Sequence, residues 1–254
     1  MKKIGFLNNS KPLLCMMIQE KTPDDIINKM LNGLYDGAEA FGIQLECLER
    51  QYRTEKVLRE IFSEAKGCPI YVTSYRNYES TGMTDEECID FLLLAAKSGA
   101  TLCDIPADTY DLNEIGISYD EQAVRKQKEI ANKLHEMGAE VLFSTHLPHF
   151  YDKDEVFKIA KAQQDRGTDI VKIVNFSDNE GELMENLNIC AELKNQTNCE
   201  YLYLASGKDC RLLRQIGGRL GCVMYLCVNS YEGIYSKEQP ILKSLKSIRD
   251  NMVK

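Results

Sequence analysis

The chain has 254 residues, of which 44% are hydrophobic and 28% charged, the ordinary balance of a globular protein with a sizeable core. Its net charge is −8 and its pI about 5.1, and no basic patch is interleaved with aromatic residues, so we do not expect nucleic acid as a partner. No stretch approaches the ~20 apolar residues of a membrane span, and the N-terminus lacks the apolar run of a signal peptide, so we expect a cytoplasmic protein without a membrane segment.

Eight short apolar runs recur along the chain, each followed by a longer amphipathic segment. The runs are rich in Val, Ile, Tyr and Cys, and such near-continuous apolar strands are typical of a parallel sheet that is buried on both faces. The predicted strands cover residues 13–18, 43–48, 69–74, 100–104, 140–144, 169–176, 200–205 and 221–228.

Helix signals lie between these runs. Thr22 offers an N-cap that is followed by proline, and Thr84 and Ser118 each begin a capping-box sequence. Helix-stop glycines are predicted at positions 42, 67, 99 and 138. The later helices are predicted over residues 154–165, 180–194, 208–216 and 240–252.

The number of strand–helix units favours one architecture. An open doubly wound sheet usually has about five or six strands, whereas eight βα units in roughly 250 residues are typical of a closed (β/α)8 TIM barrel. No linker or low-complexity stretch divides the sequence, so we predict a single barrel domain over residues 1–254.

In such a barrel the active site lies at the C-terminal ends of the strands. Lys172 is the most informative polar residue there, because it stands inside the apolar sixth run, TDIVKIVNF. Burial disfavours the charged form of a lysine and makes a neutral amine available to form an imine with a ketone. The alternative is a lysine paired with an interior carboxylate such as Glu46 or Asp104.

Two of the three histidines follow the fifth run, in STHLPHF, beside the strand that carries Lys172. Imidazole is the natural general acid–base at neutral pH, so we predict this role for His146 at the strand end, with His149 beyond the proline as the fallback. The two histidines could instead hold a divalent metal together with Glu46 and Asp104.

Arginines at the barrel mouth could bind a carboxylate bidentately. Arg76 follows the third run, and Arg211 and Arg214 follow the seventh. Since the net negative charge of the chain tends to repel small anions, an anionic substrate would need such local cations. Either Arg211 or Arg214 could instead be a solvated helix residue.

These residues follow one another in the order Glu, Arg, His, Lys, Arg on or after predicted strands two, three, five, six and seven. In this order the chain resembles the type I 3-dehydroquinate dehydratases, (β/α)8 lyases of the shikimate pathway that work through a lysine imine. The resemblance runs from about Leu13 to the end of the chain. It is strongest over residues 140–176, in EVLFSTHLPHF and DIVKIVNF.

The resemblance implies a lyase that dehydrates 3-dehydroquinate to 3-dehydroshikimate. Lys172 would form the Schiff base, and His146, in Ser-Thr-His, would be the general acid–base. The residues that would bind the small carboxylate substrate are Glu46, Arg76, Arg214, Gln239 and Ser236. No metal or organic cofactor would be required, because the lysine supplies the electron sink. A homodimer is a further expectation.

Three departures from the family pattern bear on the substrate. The second strand of the family usually reads Glu-x-Arg, and here Leu48 stands in place of the arginine. The fourth strand has Pro106 where the family has a second acid, and Leu147-Pro148 replaces the Asp-Phe that usually follows the histidine. The alternatives are therefore a Schiff-base lyase or aldolase for another hydroxyketone acid, or a non-catalytic barrel that binds a sugar acid.

Overall fold

The computed structural model describes residues 5–76, 82–231 and 237–252, and they form the predicted (β/α)8 barrel. The strands are β1 (Leu13–Ile18), β2 (Ala40–Gln44), β3 (Ile70–Thr73), β4 (Leu102–Pro106), β5 (Glu140–His146), β6 (Ile170–Phe176), β7 (Glu200–Ser206) and β8 (Met224–Cys227). The helices are α1 (Pro23–Asp36), α2 (Glu55–Ser63), α3 (Asp85–Ser98), α4 (Glu121–Glu136), α5 (Lys153–Gln164), α6 (Glu180–Leu193), α7 (Arg211–Leu220) and α8 (Leu242–Asn251). Within the described ranges, no helix is long and apolar enough to cross a membrane.

All strand pairs are parallel and follow chain order. The ladder runs from β1 to β7, and β8 pairs with the other side of β1. The remaining seam, between β7 and β8, is crossed by a hydrogen bond in which the Val223 amide donates to the Tyr201 carbonyl oxygen over 3.0 Å. The sheet is thus a nearly closed barrel, and all eight strands end at the same mouth.

Burial on both faces explains the apolar runs of the sequence. Every residue of β1 is buried, because one set of side chains fills the barrel and the other packs under the helices. The bottom of the barrel is closed by Phe6, which is fully buried and packs edge-on against Tyr71 with ring centroids 6.4 Å apart. The Glu140 carboxylate fixes this segment by accepting a 2.7 Å hydrogen bond from the Phe6 amide.

Local helix signals are largely confirmed. Thr22 caps α1, and Thr84 forms a complete capping box at α3. Ser118 is not the cap of α4, because Asp120 caps that helix. The Ser118 hydroxyl instead accepts a hydrogen bond from the Asp120 amide. Gly42 is not a helix stop but lies inside β2, because α1 already ends at Gly37, which has a left-handed φ of 94°.

Two predicted strand boundaries are wrong in ways that matter for the site. The second strand ends at Gln44, so Glu46 lies in a 3-10 turn over Leu45–Cys47 rather than in the strand. The fifth strand extends to His146, which places that histidine in the ladder opposite Val174. Apolar content alone cannot separate the end of a strand from an equally buried turn after it.

Candidate active site

A cavity of about 230 Å³ opens at the C-terminal ends of the strands. Lys172 borders this cavity from β6, together with His146 from β5 and Tyr75 after β3. Arg214 and Gln239 border it as well. The barrel therefore brings four of the predicted site residues, Lys172, His146, Arg214 and Gln239, around one space.

Lys172 is buried, and its amine is fully occupied by hydrogen bonds. The Nζ atom donates to Asp104 Oδ2 over 2.9 Å, to Tyr71 Oη over 2.9 Å and to Tyr75 Oη over 3.0 Å. These three acceptors match the three hydrogens of an ammonium group. The ion pair with Asp104 is one of the two alternatives that the sequence left open, and it lies in the same cavity as the imidazole.

Asp104, on β4, is the counter-charge of Lys172. It is completely buried, and its Oδ2 atom also accepts hydrogen bonds from Tyr71 and, over 2.8 Å, from Tyr75. Burial tends to raise the pKa of Asp104, but the charge of Lys172 and the hydroxyl donors hold it below its ordinary value. The pair therefore rests as carboxylate and ammonium.

Tyr71 and Tyr75 were not recognised in the sequence as site residues. Together with Thr73 they occupy alternate positions along and just beyond β3, and alternate residues of a strand face the same side. This period-2 pattern of polar side chains in IYVTSYR is the signal that could have identified them. Burial, and next the charge of Asp104, raise the pKa of both phenols well above the ordinary value, so both remain hydroxyls at neutral pH.

His146 stands at the boundary between two cavities. It borders the cavity of Lys172 and a second one of about 380 Å³ that Arg76 also lines, and its ring packs edge-on against Tyr75 with centroids 5.8 Å apart. Desolvation of the ring, followed by the positive charge of Lys172, lowers the pKa of His146. The imidazole is therefore neutral at pH 7 and can accept a proton.

His149 lies elsewhere. It is exposed and stacks on Tyr151 with ring centroids 4.7 Å apart, and it borders neither of these two cavities. In the part of the chain that the structure describes, no group of three His, Cys, Asp or Glu side chains is arranged to hold a metal ion.

Arg214, on α7, is the arginine that reaches the cavity of Lys172. Its Nε donates to the Ala205 carbonyl oxygen over 2.7 Å, and its Nη1 donates to Gln239 Oε1 over 3.2 Å. The Glu238 carboxylate lies 3.4 Å from Nη2 and offsets part of the charge. Arg211 is exposed and donates to the Lys237 carbonyl oxygen. Ser236 falls outside the described residues.

Arg76 is held by two carboxylates. Its Nη1 lies 2.5 Å from Asp85 Oδ1, at the start of α3, and its Nη2 lies 2.6 Å from Asp108 Oδ2, in the loop after β4. It borders the second cavity beside His146 and does not border the cavity of Lys172. Its charge is thus already balanced before any substrate carboxylate arrives.

Glu46 lies one layer behind the cavity wall. Thr73, which lines the cavity, donates its hydroxyl to both Glu46 carboxylate oxygens, over 2.9 and 3.1 Å. Burial raises the pKa of Glu46 to about 7. Gln44, at the end of β2, borders the cavity where the sequence had suggested Glu46.

A family model described as type I 3-dehydroquinase matches residues 14–251. The fold is similar to the type I 3-dehydroquinate dehydratase of Clostridium difficile, with a TM-score of 0.83, 18% identity, and coverage of 99% of this chain and 98% of that one. The 3-dehydroquinate dehydratase of Geobacillus kaustophilus gives a TM-score of 0.82 at 12% identity over 96% and 92% of the two chains. The 3-dehydroquinate dehydratase of Enterococcus faecalis gives a TM-score of 0.79 at 12% identity, with coverage of 97% of this chain and 96% of that one. At these identities the structural likeness establishes the fold. No curated protein sequence matches the chain.

Proposed function

We propose, because the chain belongs to the type I 3-dehydroquinase family, that Lys172 and His146 carry out the dehydration of 3-dehydroquinate to 3-dehydroshikimate. The chain is a carbon–oxygen lyase of this family, whose chemistry proceeds through a lysine imine. The observation that supports the residue assignment is the burial of the Lys172 amine in a cavity that the His146 imidazole also borders. Both residues are the ones that the sequence predicts for these roles.

The first stage is imine formation. Lys172 rests as an ammonium beside Asp104, so it has to release a proton before its nitrogen can attack the substrate ketone. Attack followed by loss of water gives an iminium, which withdraws electrons from the neighbouring carbon and acidifies its C–H bond. Asp104 is available to accept a proton across the 2.9 Å hydrogen bond.

The second stage is elimination. The neutral imidazole of His146 removes the acidified proton and gives an enamine, which expels the β-hydroxyl group. His146 then returns a proton to the departing oxygen, so that water leaves. Hydrolysis of the conjugated imine releases the product and regenerates Lys172.

The substrate carboxylate is proposed to bind at Arg214 and Gln239, because these two side chains contact each other at the edge of the cavity of Lys172. Glu46 and Arg76 remain predictions as substrate-binding residues. Glu46 could act through Thr73, and Arg76 could contribute only if the substrate displaced one of its two aspartates.

The cellular setting and assembly are also proposals. A cytoplasmic enzyme would agree with the ten free cysteines, since thiols persist in reducing compartments. The exclusion of nucleic acid rests on the acidic composition. A homodimer is proposed because many barrel proteins form dimers. Sedimentation of the purified protein checks the oligomeric state.

Borohydride trapping tests the proposed function. The protein is incubated with 3-dehydroquinate or 3-dehydroshikimate, reduced, and digested for peptide mass analysis. We expect turnover of 3-dehydroquinate and a stable adduct on Lys172, and Lys172→Ala should show neither.

The other outcomes separate the alternatives. Turnover of a different hydroxyketone acid, without turnover of 3-dehydroquinate, would indicate the altered substrate suggested by Leu48. No adduct with any ketone tested would favour a binding barrel. Stoichiometric divalent metal in the purified protein would overturn the imine mechanism.

A further inference from the structure

Tyr75 contacts both Lys172 and Asp104 and also borders the cavity of Lys172. We infer that Tyr75 is a catalytic residue that carries the protons of Lys172 to the carbonyl oxygen of the substrate during imine formation, and carries them back during imine hydrolysis. The inference rests on the proposed imine chemistry of Lys172. It divides the proton transfers between two residues. His146 removes the proton from the substrate C–H bond, and Tyr75 transfers protons to and from the carbonyl oxygen.

The proton balance defines the task. The ammonium of Lys172 has three hydrogens, the iminium nitrogen keeps one, and the other two leave with the carbonyl oxygen as water. No external acid or base is needed if a group beside Nζ moves both hydrogens across. That group has to contact Nζ and also reach the space that the substrate occupies.

The contacts of Lys172 favour Tyr75 for this task. Asp104 is completely buried and does not border the cavity. Tyr71 borders the cavity as well, but it is fully buried, and its ring packs on Phe6 at the closed bottom of the barrel. Tyr75 is half-buried, borders both cavities, and contacts Lys172 Nζ over 3.0 Å and Asp104 Oδ2 over 2.8 Å.

The first step is addition to the ketone. Lys172 passes one proton to Asp104 and attacks the carbonyl carbon, so that a C–N bond forms and the π electron pair moves to oxygen. The oxygen takes the hydroxyl proton of Tyr75, while Tyr75 takes a proton from the positively charged nitrogen. The result is a neutral carbinolamine, an intact phenol and a protonated Asp104.

The second step is loss of water. The proton on Asp104 moves through Tyr75 to the carbinolamine oxygen, the C–O bond breaks, and the nitrogen lone pair forms the C=N bond. Water departs, and the Asp104 carboxylate is restored opposite the iminium. All atoms and charges of the starting ammonium, carboxylate and ketone are accounted for.

A phenol suits this relay because it gives one proton while it accepts another. Burial and the charge of Asp104 raise the pKa of Tyr75, which keeps the hydroxyl protonated between transfers. The Tyr75 ring also packs against His146, with centroids 5.8 Å apart, so the two proton carriers are adjacent.

The test separates imine formation from elimination. Enzyme and 3-dehydroshikimate are mixed, quenched with borohydride at successive times, and the adduct on Lys172 is quantified by mass. We expect Tyr75→Phe to slow adduct formation by ~10²-fold, the lower end of general acid–base effects. Tyr71→Phe is the matched comparison, since it also removes a hydroxyl that contacts Lys172 and Asp104, and it should slow adduct formation less than Tyr75→Phe does.

His146→Ala provides the opposite pattern. It should slow turnover far more than it slows adduct formation. An adduct rate for Tyr75→Phe within about threefold of the parent, or equal slowing in Tyr71→Phe, would overturn the inference and leave the proposed function standing. No adduct in the parent would instead overturn the proposed function.

A second measurement applies if Tyr75→Phe does not fold. Adduct formation by the parent and by Tyr71→Phe is then compared in H₂O and D₂O. A relay by Tyr75 predicts a slower rate in D₂O for both proteins. Equal rates in the two solvents would overturn the inference.

Discussion

The amine of Lys172, the proposed nucleophile, lies in a buried ion pair, and this changes how burial acts on it. Burial alone favours a neutral lysine, as the apolar neighbours of Lys172 in the sequence predict. In the structure the charge of Asp104 lies 2.9 Å away and favours the ammonium form. The proposed imine chemistry therefore has to include the transfer of a proton away from this amine.

At the same scale, the two histidines are expected to differ in their effect on the rate. His146→Ala should lower kcat by ~10²–10⁴-fold, because a positioned base is lost. His149→Ala removes an exposed ring stacked on Tyr151 and should change kcat little. Steady-state kinetics of both variants check this, and a larger loss of kcat with His149→Ala would indicate that His149 is the acid–base residue.

The lowered pKa of His146 also predicts a pH dependence. His146, as the proposed base, stays neutral and so active to a pH below the ordinary histidine value of about 6.5. The acidic limb of kcat that is due to His146 should therefore lie below that pH.

Glu46 predicts a pH dependence of stability. Its pKa in the folded protein is raised to about 7, against an ordinary value of about 4.3, so the native state holds a proton between these values that the unfolded chain has lost. This contribution to the free energy of unfolding is present at low pH and is lost as the pH rises toward 7. Glu46→Gln removes this contribution. The free energy of unfolding of the variant, taken relative to that of the parent, should therefore rise by up to about 3 kcal/mol between pH 4.5 and 7.5.

Urea denaturation at several pH values measures this difference. Glu49→Gln removes an exposed carboxylate three residues away and serves as the matched control. Parallel pH profiles for Glu46→Gln and the parent would contradict the prediction.

At the scale of elements, Arg76 joins two parts of the barrel mouth. It lies after β3 and connects the N-terminus of α3 to the loop after β4 through Asp85 and Asp108. All three side chains are largely buried, with 13%, 18% and 10% exposure, so loss of the arginine leaves two carboxylates with little access to water. This arrangement fixes the wall of the second cavity beside His146.

Arg76→Met should therefore lower the free energy of unfolding by about 3 kcal/mol at pH 7, as expected for breaking a buried ion pair. Arg59→Met is the matched control, because it removes an exposed i,i+4 pair with Glu55 and should change the free energy of unfolding much less. Urea denaturation of both variants measures the costs. Unchanged stability of Arg76→Met together with a raised KM would indicate a substrate-binding residue instead.

At the scale of the whole molecule, net charge should act on substrate association. The chain carries −8 overall, and the cations of the site are each balanced by carboxylates: Lys172 by Asp104, Arg214 in part by Glu238, and Arg76 by two aspartates. The field at long range therefore repels a carboxylate substrate. Salt screens this field, since the Debye length falls from about 30 Å at 0.01 M to about 8 Å at 0.15 M ionic strength.

We expect kcat/KM for the anionic substrate to rise up to severalfold between these ionic strengths. The rate of adduct formation with an uncharged ketone should stay constant and serves as the control. A fall in kcat/KM with added salt would show instead that the site attracts the substrate electrostatically.

The eight βα units and the two central catalytic candidates could be read from the sequence because their signals are local. An apolar run, a helix cap such as Thr22 and a lysine flanked by apolar residues each depend on neighbours in the chain. The end of β2 could not be placed in this way, because a buried turn and a buried strand have the same apolar pattern. Glu46 was therefore expected in the strand and lies behind it.

Only the tertiary structure decided what surrounds the amine. Tyr71 is 101 positions from Lys172 along the chain, Tyr75 is 97 and Asp104 is 68, yet all three contact one nitrogen atom. Such contacts depend on how far each strand is shifted against the next when the barrel closes, and that shift is set by packing across the whole sheet. The sequence by itself determined that a lysine would be buried beside a histidine, and barrel closure determined that it would be held as an ammonium by a carboxylate and two phenols.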